Sequence, residues 1–176
     1  MRTSRTTAGF TLIEILVVVF IIGIMTAGVL LSVNITGSDH ELQNESDRLA
    51  ALMNYAREQA EMQTRELGLA CSAQGYEFLA FDARTGLWGS ILQDDALRAR
   101  KLPLGLSLRL TVEAHDIVFK PPLATDTKKP DVMIFSNGDI SSFELTVARD
   151  GVTRAVTLAI DDKGHIAATL MPETKT

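Results

Sequence analysis

One carboxylate interrupts a long apolar run near the start of the chain. Glu14 is the only charged residue between Gly9 and Val33. An ionised side chain in the middle of a bilayer costs about 2–4 kcal/mol, and such groups usually face a partner inside the membrane. Glu14 is therefore the first candidate for a functional residue, and ion pairing is the chemistry expected of it.

The apolar run around Glu14 is long enough to cross a membrane. Residues 10–33 would form a helix of about 36 Å, and the hydrocarbon core of a bilayer is about 30 Å thick. Arg2 and Arg5 precede the run and no acidic residue does. The positive-inside rule then keeps the N-terminus in the cytoplasm. The sequence predicts a transmembrane helix over 10–33, with the rest of the chain outside the cytoplasm.

The short basic leader over residues 1–9 ends in Gly9, ahead of the apolar run. A secretory signal would instead carry its small cleavage-site residue after the apolar stretch. The arrangement resembles the type IV prepilin-like signature, in which a basic leader ends in Gly, Phe follows, and Glu stands fifth after the cut. Gly9, Phe10 and Glu14 match it position for position.

This resemblance implies a role for each of the three residues. A membrane-embedded prepilin peptidase would cut between Gly9 and Phe10, and Phe10 would then be N-methylated. Glu14 would pair with the α-amino group of Phe10 in a neighbouring subunit during assembly. In the alternative, the helix is a simple anchor and Glu14 reaches water at the membrane surface.

The composition describes an acidic chain with one modest domain behind the apolar run. The 176 residues carry a net charge of −5, which loss of Arg2 and Arg5 with the leader would bring to −7. An acidic balance argues against nucleic-acid binding. Cys71 is the only cysteine, so no intramolecular disulfide is possible, and we expect it to be a small, inert core residue.

A second helical pattern follows the first, over residues 34–66. Ser38–Glu41 has the form of a capping box, which marks a helix start. Asn34–Gly37 would then be a break or a bend, with any kink at Gly37, whereas the pilin-like resemblance implies one long helix. An apolar stripe follows at helical spacing and is predicted to be core: Leu42, Leu49, Leu52, Met53, Ala56 and Ala60.

From residue 67 the pattern changes to the alternation of β-strands. Turns are expected at Gln74-Gly75, Asp150-Gly151 and Lys163-Gly164, between apolar alternating runs. The sequence thus predicts an α+β, pilin-like fold, with the long helix packed on a mostly antiparallel sheet in a β-rich domain over 67–176. Lys120–Pro130 is predicted to be an exposed loop and a candidate contact surface.

Catalytic and metal-binding patterns are weak. His40, His115 and His165 are scattered, without cysteine or carboxylate partners at ligand spacing. Asp161–Gly164 is explained better as a hairpin turn than as a calcium loop. We therefore expect no enzymatic activity, no metal and no cofactor.

The pattern from MIFSNGDIS through VTLAIDDKGHI resembles the minor pseudopilin H group of type II secretion systems, the GspH/FimT-like family. That resemblance implies a structural subunit in the bacterial inner membrane with a periplasmic domain. It would stand near the tip of the pseudopilus and join minor pseudopilins of the I, J and K types to the major one. Prepilin peptidase and the inner-membrane assembly platform would be its other partners, and nucleic acid would not.

Two alternatives remain open. A minor pilin of the FimT/FimU kind in a type IV pilus shares the leader, although a DNA-uptake form would show clustered arginines late in the chain, where this one reads MPETKT. A membrane-anchored periplasmic enzyme or sensor would need a convergent polar site. It would also tolerate Glu14→Leu, which the filament interpretation does not.

Overall fold

The computed structural model describes residues 12–119, 127–151 and 154–171, without the side chains of 27–39. The chain divides into two compact units, Met1–His40 and Glu41–Thr176. The first unit is helical wherever it is described. The described residues of the second unit contain the end of that helix and ten strands.

Helix α1 runs from Leu12 to Gln63. The capping-box prediction is wrong, because Ser38–Glu41 lies inside the helix rather than at a start. With residues 34–37 already helical, the amides of this turn find carbonyl partners one turn earlier and need no side-chain cap. The alternative of one long helix is confirmed, and a kink at Gly37 stays a prediction.

In the described residues, ten strands form two five-stranded sheets, where the sequence predicted one. The first sheet contains β1 (Leu67–Ser72), β2 (Gly75–Asp82), β3 (Leu87–Ser90), β4 (Arg100–Lys101) and β7 (Val132–Ile134). Its order is β3-β2-β1-β7, and β4 also pairs with β2.

The second sheet contains β5 (Leu106–Val112), β6 (His115–Ile117), β8 (Phe143–Arg149), β9 (Ala155–Ile160) and β10 (Ile166–Leu170). Its order is β10-β9-β8-β5-β6, and the strand pairs in both sheets are antiparallel. Alternation along a strand shows which face is apolar but not which strand lies beside it. That is why the division into two sheets was missed.

The predicted hairpin turns are close to where the sequence placed them. β1 and β2 pair as far as Ser72 and Gly75, so Gly75 is in the strand and not in the turn. A side chain at this position would meet the carbonyl oxygen of Arg100, so glycine lets β4 approach β2. Gly151 and Gly164 both have positive φ, as their turns require.

The apolar stripe of α1 is core, as predicted. All its residues are buried except Leu52, which is half-buried. They belong to one cluster with apolar side chains from both sheets, including Phe78, Leu145 and Leu158. Cys71 is half-buried and packs against this cluster from β1. The helix therefore covers both sheets with one face.

Two methionines on α1 offer a matched test of this packing. Met53 is fully buried, whereas Met62 is 74% exposed. We expect Met53→Ala to lower the free energy of unfolding by about 2–5 kcal/mol, since it leaves a cavity, and Met62→Ala to change it by less than about 0.5 kcal/mol. Urea denaturation of the detergent-solubilised chain, followed by fluorescence of its single tryptophan, measures both. Equal effects would contradict the packing described.

Candidate functional site

The described side chains of the first unit form an apolar surface around α1. Large apolar residues between Leu12 and Met25 have exposed fractions from 45% to 83%. Apolar side chains point in every direction around this segment, and Glu14 is exposed among them. A helix that is hydrophobic on all sides is typical of one buried in lipid or in other proteins. This surface is the part of the chain that most needs a partner.

Two of the three predicted site residues cannot be placed beside Glu14. Gly9 and Phe10 lie outside the described residues, so the geometry of the expected cut and of the methylated amino group stays a prediction. The transmembrane helix predicted over 10–33 also stays a prediction, because residues 10–11 and the side chains of 27–33 lie outside the described part of the chain. In the described part of the chain, no helix combines the length and apolar character needed to span a bilayer.

A buried carboxylate connects α1 to the first sheet. Glu45 is 5% exposed, and its Oε1 accepts a 2.9 Å hydrogen bond from the hydroxyl of Tyr76 on β2. Its other oxygen accepts one from Arg48, one turn along the helix, at 3.1 Å. Burial raises the pKa of Tyr76, and the negative charge of Glu45 raises it further. The pair fixes the rotation of the helix over β2.

An amide and a guanidinium connect the same helix to the second sheet. Asn54 donates from Nδ2 to the carbonyl of Ile166 at 2.9 Å and accepts from the Ile166 amide at 3.1 Å. It therefore bonds β10 as a neighbouring strand would. Arg57 donates to the carbonyl of Gly164 in the adjoining turn. These contacts hold the β9–β10 hairpin against α1.

Two further polar contacts hold the edges of the helix in the second unit. The hydroxyl of Tyr55 donates to Asp94 at 2.9 Å, and this hydrogen bond raises the pKa of Tyr55. Arg149 on β8 pairs with Glu41 at 2.7 Å. Together with Glu45 and Asn54 they fix the helix from both sides of its buried stripe.

The surroundings of Cys71 disfavour the reactive form of its thiol. Burial raises the pKa of its thiol, and the nearby Asp131 carboxylate raises it further. Its backbone amide donates to Asp131 at 2.7 Å, while burial raises the pKa of that carboxyl group. Thiol reactivity requires the thiolate, which this environment disfavours. Asp131 instead completes the hydrogen bonding of β1 beyond the end of β7.

The described part of the predicted contact loop lies over the first sheet. Residues 120–126 are outside the described residues, and 127–129 are exposed. Lys128 donates to both carboxylate oxygens of Glu77, at 2.7 and 2.8 Å, and to the hydroxyl of Ser90 at 2.6 Å. The loop is thus tied to the face of the sheet that points away from α1.

The three histidines do not converge. His40 is exposed on α1, His115 is exposed on β6 with Nδ1 2.8 Å from the Glu113 carbonyl, and His165 lies in the β9–β10 turn. Within residues 12–119, 127–151 and 154–171, no group of three or more His, Cys, Asp or Glu could hold a metal ion. Asp161 accepts hydrogen bonds from the amides of Lys163 and His165, the hairpin-turn chemistry that was predicted for it.

The sequence analysis did not predict the polar contacts between α1 and the sheets, which we call the polar anchors: chiefly those of Glu45 and Asn54. Glu45 stands three residues after Leu42 and four before Leu49, which places an acid inside the apolar stripe. That position was a usable signal for a buried, partnered carboxylate. The pairing of Asn54 with β10 had no comparable signal, because it depends on which hairpin the helix crosses.

Comparisons with known proteins cover nearly the whole chain. Residues 4–30 match the prokaryotic N-terminal methylation motif, and residues 45–164 match the family described as type II transport protein GspH. The type II secretion system protein H of Pseudomonas aeruginosa is 30% identical, with 92% of this chain and 93% of that protein covered. The protein of the same name from Aeromonas hydrophila is 29% identical and covers 94% of each chain.

Solved structures show the same fold at lower identity. The minor pseudopilin EpsH from the type II secretion system of Vibrio cholerae superposes with a TM-score of 0.63 at 16% identity, covering 77% of this chain and 97% of that one. The solution structure of Escherichia coli GspH gives a TM-score of 0.52 at 22% identity, covering 78% and 96%. The α+β, pilin-like fold class is confirmed.

The tyrosines provide a test of the anchors by pH. Both tyrosines of the chain, Tyr55 and Tyr76, have raised pKa values in the fold. Their neutral form therefore contributes stability that is complete below the unfolded value of about 10 and is lost as pH rises through the folded one. We expect tyrosinate absorbance to develop at higher pH in the folded protein than in urea. Tyr76→Phe should reduce the loss of stability at alkaline pH. Tyrosine titration curves that coincide in the folded and unfolded protein would contradict the hydrogen bonds of Tyr55 and Tyr76.

Proposed function

Because the chain belongs to the type II transport protein GspH family, we propose that it works as a minor pseudopilin, a structural subunit of a type II secretion pseudopilus. The observation that carries this function is the match along the chain, from the N-terminal methylation motif to the β domain. The family is one of structural subunits. Its activity is assembly, and the exposed apolar segment of α1 is the surface that assembly would cover.

We propose that the N-terminus is processed before assembly. Prepilin peptidase cuts between Gly9 and Phe10, and the new α-amino group of Phe10 is methylated. Glu14 then pairs with the Phe10 amino group of a neighbouring subunit, so that both charges are neutralised as the helices pack. The exposure of Glu14 in the single chain supports this proposal, since the carboxylate has no competing partner among the described side chains of residues 12–26.

The same motif supports a proposed location for the subunit. The helix over 10–33 anchors the subunit in the bacterial inner membrane, with the N-terminus cytoplasmic and the domain periplasmic. Near the tip of the pseudopilus it joins minor pseudopilins of the I, J and K types to the major pseudopilin. The inner-membrane assembly platform delivers it to the filament, which helps to move folded proteins across the outer membrane.

The polar anchors suit a subunit that moves as part of a filament. Force applied to packed helices reaches the β domain only if α1 and the sheets move together. The buried apolar stripe holds α1 against the sheets. The hydrogen bonds of Glu45 to Tyr76 and of Asn54 to Ile166 resist sliding and rotation of α1 over the sheets. Hydrogen bonds have directional requirements that apolar contacts lack, so a small rotation of α1 breaks them.

The test is secretion in a strain that lacks this protein, complemented with wild type, Glu14→Leu or Glu58→Leu, with surface piliation scored in parallel. Glu58 is exposed on the same helix within the β-domain unit, so its variant makes the same chemical change away from the proposed pairing site. We expect Glu14→Leu to trap exoprotein in the periplasm with normal pili, at unchanged protein level. Glu58→Leu should secrete like wild type.

Three other outcomes would overturn the proposal. Normal secretion with lost pili would assign the protein to a type IV pilus as a minor pilin. No effect of gene deletion on secretion or piliation would exclude a filament role. Full secretion with Glu14→Leu, in a system where deletion of the gene blocks export, would reduce the helix to a simple anchor.

A further inference from the structure

Strand β3 forms an edge of the first sheet that no other described strand covers. It is the last strand in the order β3-β2-β1-β7 and, among the described residues, pairs only with β2. The amide of Phe81 donates to the carbonyl of Glu66, on the β1 side of β2. Backbone groups alternate in direction along a strand, so those of Ala80 and Asp82 face β3. Their partners Gly89 and Leu87 therefore face inward. The N–H and C=O groups of Trp88 and Ser90 point away from the sheet.

A groove lies between β3 and the segment that leads into β7. Its volume is about 420 Å³, and it is lined by Gly86, Leu87, Trp88, residues 127–130 and Met133. The Leu87 side chain is 54% exposed. The Trp88 ring packs on Phe81 with centroids 5.2 Å apart, which fixes its position. The groove is large enough for one side chain. Trp88 lines it and also carries outward-facing backbone groups that pair with no other described strand.

The charge at the groove is opposite to that of the chain as a whole. The lining residues include Lys128 and Lys129 and no acidic residue, although the net charge of the protein is −5. Lys128 is neutralised by Glu77. Lys129 is exposed, and no ion pair of its side chain is found within the described ranges. The unmatched charge favours a partner that carries a carboxylate.

We propose that β3 and this groove bind an extended segment of a neighbouring pseudopilin, which adds as a strand along Trp88 and Ser90. One apolar side chain of the segment enters the groove, and one carboxylate meets Lys129. Strand addition of this kind takes its affinity from backbone hydrogen bonds and its specificity from side-chain pockets. The proposal rests on the proposed function, because that function supplies the neighbouring subunit.

A second copy of this chain fits the same surface poorly. Symmetric pairing of β3 with itself would bring Lys129 and its copy to the same interface, and like charges at close range are unfavourable. The short strand also offers only two outward-facing residues, which limits nonspecific edge pairing. Stable binding at so short an edge also needs contacts with the groove and with Lys129. The surface therefore selects a partner with an apolar side chain and a carboxylate at the right positions.

The experiment places a photo-activated benzoylphenylalanine at Leu87 in the full chain, in cells with the complete secretion system. The control position is Leu104, which is 95% exposed in the turn between β4 and β5, away from the groove. We expect Leu87 to crosslink to another pseudopilin of the same system, at an extended segment with an acidic residue, and Leu104 not to.

Charge reversal then tests the ion pair. Lys129→Glu should lower the Leu87 crosslink yield about fivefold, by losing one favourable pair and adding a like-charge contact. Lys163→Glu makes the same change in the exposed β9–β10 turn and should leave the yield unchanged. Equal losses with both variants would contradict a specific role of Lys129.

The crosslink separates failure of this proposal from failure of the proposed function. No Leu87 crosslink to a pseudopilin in cells that secrete normally would overturn the β3 site and leave the subunit role intact. Crosslinks only to a second copy of this chain would also overturn it, as would equal yields at Leu87 and Leu104. Unimpaired secretion after deletion of the gene would instead contradict the subunit role itself.

Discussion

The burial of one helix face against two sheets is the interaction on which the rest of this structure depends. Neither sheet has another described helix to cover its apolar side. The stripe from Leu42 to Ala60 joins the two sheets into one core, in which most of its side chains are almost fully excluded from water. Removal of that face would expose both sheets, so the domain and the second half of α1 form one cooperative structure.

Polar contacts fix the rotation of α1 relative to the two sheets, which apolar packing alone does not. A buried carboxylate with one partner removed would cost more than its hydrogen bond contributes, so Glu45 and Tyr76 penalise any other rotation of the helix. Asn54 does the same for β10, where its amide satisfies both backbone groups of Ile166. The apolar segment from Leu12 to Met25 makes the opposite contribution, because its exposed side chains leave the single chain incomplete.

The sequence predicted local features well and relations between distant segments poorly. The N-terminal methylation motif is recognised by the local spacing of Gly9, Phe10 and Glu14, whose individual roles stay predictions. The stripe of α1 follows from helical periodicity. The hairpins around Ser72 and Gly151 were found because turn residues and alternation are local signals. Two sheets in place of one, the open edge of β3 and the contact of Asn54 with β10 depend on contacts between residues far apart in sequence, which no local pattern encodes.

The most direct test of the central claim is the structure of this protein in a complex with the other pseudopilins, extracted from the membrane after processing. We expect the Glu14 carboxylate to lie within about 4 Å of the methylated amino group of a neighbouring subunit, the distance of an ion pair. We also expect the apolar side chains between Leu12 and Met25 to be covered by neighbouring helices. A Glu14 that faces water or lipid, with no amino group in reach, would contradict the account.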